Sequence, residues 1–440
     1  MSFSDTRTRG ALVVMAGGVL VGAVNIYLAS SLLPTAVAEI GGADFYAWSM
    51  TVYLVAMVVA TMLVGQALSR FSNLGAYLLG FATFAVGSLA CAASPAMPVL
   101  LLGRCVQGLG AGLLSGLGFA VVHTALPQQL WARGNALISA MYGVGNFLGP
   151  ALGGLFAQCG SWRLAFVVMA MAAAACGAAV PRVLPRTERT RTQAPVPAVS
   201  LTLAVAATAA VSVAGVLPGT ATKAVSIAAA LLLVLGFLAQ ERRSEVRVFP
   251  AATYQAGSPL KWIYLTIGLL AFGVAVESFV PLFGQRLGGL PPLAAGFFGA
   301  AVSLGWSATQ VLSSTAVQAR TVRRLRAVGP VLLALGFLLQ GLVQRENAPI
   351  WLVLLWVPVL LLAGSGIGVA YPHLSVAAMA EGEQAAAAIA TVTTTSTAFG
   401  TAVAGVLVNL GGDSVLDSAR WLLFGFAVIT ATGVLVQRRV

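Results

Sequence analysis

The chain has 440 residues, of which 59% are hydrophobic and 8% charged, with a formal net charge of +12. Ordinary soluble domains carry about 25% charged residues. So few charges, with a mean hydropathy of +0.94, exclude a water-facing surface over most of this chain and make lipid its solvent. The positive charge does not point to nucleic acid, because the arginines punctuate apolar runs and form no basic face interleaved with aromatics.

The N-terminus carries Arg7 and Arg9 ahead of an apolar run from Ala11 to about Leu33. The run is too long for a secretory leader, has no small-residue cleavage pattern, and leads directly to further apolar runs. It is the first expected span. With about 20 apolar residues needed per crossing, the next five fall at residues 46–68, 74–93, 97–122, 132–157 and 162–181. Two more lie at 199–217 and 222–239. A last set of six lies at 260–284, 293–315, 327–344, 350–372, 385–410 and 419–437.

The expected fold is therefore all-α and integral to the membrane: two pseudo-symmetric six-helix bundles with a two-helix central insertion, about 14 spans. The domains are residues 1–181, a cytoplasmic linker 182–198, the inserted pair 199–240, a basic cytoplasmic loop 241–259, and residues 260–440. With both termini inside, eighteen of the 24 Lys and Arg face the cytoplasm. Arg163, Lys223, Arg286, Arg345 and Arg420 fall outside, and Arg104 lies within a span. That bias supports an even number of spans and a cell-membrane location.

Short repeats mark the two halves. GPALGG at 149–154 matches GTAVAG at 400–405, and GLGAG at 108–112 matches GSGIG at 364–368. They occupy the fifth and fourth spans of each set of six, a pattern of transporters whose substrate site lies between homologous halves. Gly108, Gly112 and Gly116 recur every four residues, which permits close helix contact. A phosphate-binding reading of this glycine run needs a strand before it, and none is expected. Cys91, Cys105, Cys159 and Cys176 form no CxxC pair, and His123 and His373 stand far apart, so no metal site is expected. No Walker sequence is present, and no cofactor is implied.

Arg104 sits about 10 Å deep in the fourth span at 1.5 Å per residue. A charge at that depth costs about 3 kcal/mol, so it faces a cavity or partner, or else snorkels to the interface. Arg104, Gln107, Gly108 and Gly110 resemble the RxxQG element of major facilitator superfamily transporters. Gly145, Gly149, Pro150, Gly153 and Gly154 in GNFLGPALGG resemble GxxxGPxxGG, the antiporter motif of that superfamily's drug-exporting branches. Trp162, Arg163 and Phe166 beyond it are also similar. Over essentially the whole chain the resemblance is to the fourteen-helix drug:proton antiporter branch.

That resemblance implies a secondary active transporter, not an enzyme, exporting small hydrophobic or amphipathic compounds in exchange for protons. It is expected to be monomeric, with the lipid bilayer and a small hydrophobic substrate as partners. Physically, Pro150 removes one backbone hydrogen bond and bends its helix. Gly145, Gly149 and Gly153 leave a smooth face for a neighbour. In the family this helix limits leak while the halves alternate.

Two positions depart from the family pattern. The loop between spans two and three, GQALSRFSNLG, keeps Gly65, Arg70 and Gly75 but has Ser69 where the family has Asp. Nine residues before Pro34, where related chains carry Asp, stands Asn25, which cannot carry a proton. The remaining acid at membrane depth is Glu277, in GVAVESFVPLF. An intramembrane acid is a functional candidate by default, the alternative being a structural hydrogen bond. Glu39 reads as outer surface, Asp44, Asp413 and Asp417 as loops, and Glu381 and Glu383 as a cytoplasmic loop.

Candidates to line the substrate path are Asn25, Tyr53, Asn146, Phe147, Trp306, Gln310 and Thr394. Tyr371 and the other hydroxyls of Thr391–Thr397 are weighed with them, against core packing and back-bonding to their own helix. A proton-independent facilitator or uptake carrier is the second reading, favoured by Asn25 and the altered loop.

Overall fold

The computed structural model describes residues 6–125, 131–184, 195, 197–217, 219–255, 257–316, 318–381, 383–437 and 439. Arg186, Arg189 and Arg191 of the expected linker, and Arg438, lie outside the described residues. So do the side chains of Arg7, Arg9, His123, Arg133 and Glu383.

Regular structure among the described residues is helical throughout. The first six helices are α1 (Thr6–Ile40), α2 (Tyr46–Met62), α3 (Val64–Ala92), α4 (Met97–Ala125), α5 (Trp131–Gln158) and α6 (Trp162–Val183). The inserted pair is α7 (Ala198–Val216) and α8 (Thr220–Arg243). Then follow α9 (Leu260–Val274), α10 (Val280–Arg286), α11 (Pro292–Gly299), α12 (Ala301–Ser313), α13 (Ala319–Val343), α14 (Ile350–Met379), α15 (Glu383–Asn409) and α16 (Val415–Gln437). Among the described residues, twelve stretches are long and apolar enough to cross a membrane. The 28-residue α5 and the broken run α11–α12 occupy the two further expected spans.

The chain forms two compact units, one of residues 1–43 and 52–196, the other of 44–51 and 197–440. Each is held by glycine seams. In the first unit α4 lies on α2 and on the start of α3. A Cβ at Gly108 would meet Tyr53 O at 2.3 Å, at Gly112 Met57 O at 2.2 Å, and at Gly116 Val64 Cγ2 at 2.5 Å. In the second unit α14 lies on α12 in the same way, a Cβ at Gly364 meeting Val302 O at 1.8 Å. The repeats at 108–112 and 364–368 therefore do one job twice. The span-five repeat behaves alike: Gly149 lies against Val24 O of α1, and Gly400 against Phe272 O of α9. The pairings α3–α4, α3–α6 and α1–α6 of the first unit recur as α13–α14, α13–α16 and α9–α16 in the second.

The inserted pair belongs to the second unit. Helix α7 packs on α15 through Val211, Ala402, Phe399 and Val406, and Asn409 Nδ2 donates to Gly215 O at 2.9 Å. Helix α8 leaves Val225, Leu231, Leu232 and Leu235 60–69% exposed, as a lipid-facing helix does.

Two expectations are refined. The loop expected at 65–75 is narrower: helix runs from Val64 to Phe71, and Ser72 (φ 61°, ψ 173°) breaks it before the helical stretch that continues to Ala92. Its Gln, Ala, Leu and Arg are good helix formers, and Ala67 N donates to Leu63 O to join it to the preceding turn. The span expected at 260–284 is present as the apolar stretch Leu260–Arg286, but its helix, like that at 293–315, is interrupted. A 3₁₀ turn, Ala275–Ser278, separates α9 from α10, and Ala300 separates α11 from α12. Pro281 supplies no backbone donor and disfavours helix at the residue before it. The two breaks pack together: a Cβ on Gly299 would lie 2.6 Å from Pro281 Cγ.

Candidate functional site

In the first unit the site centres on Arg104, which α4 carries fully buried. Its guanidinium lies over the Tyr53 ring, 4.1 Å from the centroid. Its Nη1 donates to Gln107 Oε1 at 2.6 Å, and Gln107 Nε2 donates to Ser88 Oγ at 2.8 Å. Ser88 Oγ donates in turn to Phe84 O. The pair Arg104 and Gln107 are three residues apart and share one helix face. Gln107 reaches α3 because Gly87 leaves room, where a Cβ would be 2.3 Å from Gln107 N. The chain Tyr53–Arg104–Gln107–Ser88 thus ties α2, α4 and α3 together. Snorkelling does not occur; the charge is held by an aromatic face and an oriented amide.

Asn25 is also fully buried. Its amide makes no hydrogen bond of ordinary length, and the Tyr53 hydroxyl lies close by. The structure thus brings together Asn25, Tyr53, Arg104 and Gln107. Gly145, Gly149 and Gly153 form the α5 seam on α1, with a Cβ at Gly153 placed 2.5 Å from Leu28 O. Pro150 and Gly154 are buried within α5. Asn146 is buried, whereas its neighbour Phe147 is 60% exposed. Gly65 is half-buried and Arg70 exposed at the start of α3, where Arg70 lies over the Phe71 ring and Ser69 Oγ bonds back to Gln66 O. At the other end of this unit Glu39 accepts from Trp162 Nε1 at 2.6 Å and pairs with Arg163.

In the second unit Glu277 is buried on the 3₁₀ turn. Its Oε1 accepts from the Ser303 backbone N–H at 2.5 Å, and its Oε2 from Ser303 Oγ at 2.8 Å. Ser303 is the third residue of α12, whose capping position is held by Ala300. An alanine cannot cap, so the carboxylate of a neighbouring span supplies the acceptor. Further along α12, Trp306 meets Tyr371 edge-on at 5.3 Å, and the Tyr371 hydroxyl bonds Thr393 Oγ1 at 3.2 Å. Gln310 lies half-buried one turn beyond Trp306, and Thr394 is half-buried beside Thr393. Several hydroxyls of α15 bond back to their own helix, as Thr393 does to Ile389 O.

Three buried polar positions at or near these sites were missed by sequence reasoning. Ser88 and Ser303 each look like an ordinary small residue in an apolar run. Glu241 sits in the basic stretch after α8, yet it is fully buried. It accepts from Ser200 Oγ at 2.6 Å, from Phe249 N at 3.0 Å and from Val248 N at 3.1 Å. It also accepts from the Tyr254 hydroxyl at 3.3 Å. It fastens the loop after the inserted pair to α7 and α8. Burial and the Glu241 carboxylate push the Tyr254 phenol upward, so it stays neutral. Among the described residues no cluster of His, Cys, Asp and Glu could hold a metal ion.

A multi-pass helical membrane protein, built twice over on one contact pattern with a buried Arg in one unit and a buried Glu in the other, belongs to the class of secondary transporters rather than enzymes. The sequence matches the model of the Major Facilitator Superfamily over residues 15–405, and the chain is a member of that superfamily. It is 44% identical over 445 aligned positions, spanning 98% of this chain and 94% of the other, to a "Probable multidrug-efflux transporter" of Mycobacterium tuberculosis. Over 34% of this chain and 30% of the other it is 26% identical to "Multidrug resistance protein 3" of Bacillus subtilis. Among solved structures, a POT family transporter superposes with a TM-score of 0.71 over 97% of this chain and 95% of the other. Their sequences are 15% identical, so that likeness concerns the fold.

Proposed function

We propose that this protein exports small hydrophobic or amphipathic compounds by proton antiport, moving between outward- and inward-open states with both termini in the cytoplasm of the cell membrane. The relative of M. tuberculosis, similar from end to end, supports export of drug-like compounds. Glu277 carries the mechanistic reading: it is a buried acid at the break between α9 and α10. An ionisable group at that depth is costly to keep unless its charge is used.

In this scheme a proton binds Glu277 from one side of the membrane and leaves to the other. Arg104 keeps a fixed positive charge in the first unit, and the α1–α5 glycine seam seals the path during the change of state. Asn25, Tyr53, Asn146 and Phe147 in the first unit, and Trp306, Gln310 and Thr394 in the second, supply contacts for an uncharged or cationic amphipath. The protein acts as a monomer.

A facilitator without proton coupling is the second reading. The specific observation favouring it is Asn25, a residue that cannot ionise in the first span. Accumulation of a lipophilic fluorescent dye in cells decides between them. Cells expressing the protein should hold at least several-fold less dye than control cells. Glu277→Gln, at equal membrane abundance, should raise dye to the control level. Full export by that variant would take proton coupling away from Glu277, and wild-type cells holding as much dye as controls would leave the facilitator reading.

A further inference from the structure

The span holding Glu277 and the span holding Ser303 are each broken partway along, and two contacts join the breaks. Pro281, just past the 3₁₀ turn, fits against Gly299, which ends α11 and could not carry a Cβ there. Glu277 holds the start of α12 through both donors of Ser303. A free helix start leaves backbone N–H groups without acceptors, and in hydrocarbon that is costly. The position of the α11–α12 bend therefore depends on what Glu277 accepts.

We propose that Ser303 is the positioning residue through which protonation of Glu277 reaches the α11–α12 bend, so that the two broken spans change conformation together. This rests on the proton-coupling reading given above. The step needs only a proton from water. When it binds Oε2, that oxygen becomes a donor and no longer accepts the Ser303 hydroxyl hydrogen. The hydroxyl must then rotate and accept, or turn to another acceptor. The Ser303 N–H keeps Oε1, now the oxygen of a neutral acid, which is a weaker cap than a carboxylate. The start of α12 is loosened in one protonation state and fastened in the other.

The elements packed on the turn are α9, α10, α15 and α16, with α12 through Ser303. Their titratable groups lie toward span ends: Lys261 and Tyr264 on α9, Arg286 on α10, Glu383 on α15, Asp417 and Arg420 on α16. Tyr46, the remaining neighbour, stacks on Phe279. Glu277 and Ser303 therefore make a local pair.

Infrared difference spectroscopy of the purified, lipid-reconstituted protein, between acidic and alkaline buffer, tests this. The wild type should show a protonated-carboxyl band that Glu277→Gln removes. Ser303→Ala should shift that band to higher wavenumber, because the carboxyl loses one hydrogen-bond partner, and should lower gradient-driven transport at least tenfold. Ser303→Thr, which keeps the hydroxyl, should restore both. A band present in the wild type but unmoved in Ser303→Ala would overturn the inference and leave proton coupling standing. No Glu277 band at any pH would overturn the proton reading beneath it. If Ser303→Ala does not fold, a Ser303→Thr band at the wild-type frequency with full transport supports the inference, and a displaced one contradicts it.

Discussion

Arg104 keeps a full charge at membrane depth because three things meet it: an aromatic face, an oriented amide oxygen and a helix neighbour close enough to hold both. A desolvated cation–π contact is worth about 2 kcal/mol, and a hydrogen bond to a charged group about 1.5–3 kcal/mol. Lysine offers a point charge with no flat face to stack, so Arg104→Lys is not conservative here. That variant should unfold in detergent with a stability loss of about 2 kcal/mol, and its export rate should fall at least tenfold at equal membrane abundance. Wild-type export by Arg104→Lys would show that charge alone suffices. The sequence made Arg104, Gln107 and Glu277 conspicuous because polar groups are rare in apolar runs. Ser88 and Ser303, which decide how those groups are held, were not legible. A serine in a span ordinarily bonds its own backbone, and only tertiary contact reveals another partner.

At the scale of helices, the glycine pattern was legible and its meaning was not. Spacing of four residues says that something approaches closely; it does not say which helix. The structure assigns α2 to Gly108 and Gly112, the start of α3 to Gly116, and α1 to Gly145, Gly149 and Gly153. A methyl group at Gly112 would lie 2.2 Å from Met57 O, a contact that only backbone displacement relieves. Gly112→Ala should therefore lose about 1–3 kcal/mol, read as a lower unfolding temperature in detergent. Gly143→Ala, whose Cβ would meet nothing within 4 Å, should keep wild-type stability to within about 0.5 kcal/mol. Equal losses in the two would mean that α5 and α4 glycines are needed for conformational freedom and not for contact. The breaks in spans nine and ten escaped the hydropathy reading because both runs stay apolar straight through them. Pro281 was the local hint, and its partner Gly299 is visible only in three dimensions.

For the molecule as a whole, composition alone announced the solvent, and the apolar runs announced about how many spans to expect. The doubled architecture followed from two short repeats, and it holds at the level of contacts: each unit pairs its first helix with its fifth and its second with its fourth. Substrate identity was not legible, since apolar and aromatic linings accept many shapes. The proposed coupling site was half legible. The family position in the first span holds Asn25, and the acid stands elsewhere, on the turn that breaks span nine.

Transport in proteoliposomes under an imposed pH gradient therefore bears most directly on the account. A fluorescent amphipath should accumulate against its gradient when protons can flow the opposite way. It should stop on collapse of the gradient by an ionophore, and Glu277→Gln vesicles should equilibrate the dye without concentrating it. Uphill accumulation by Glu277→Gln, or wild-type transport indifferent to the gradient, would contradict proton exchange at Glu277.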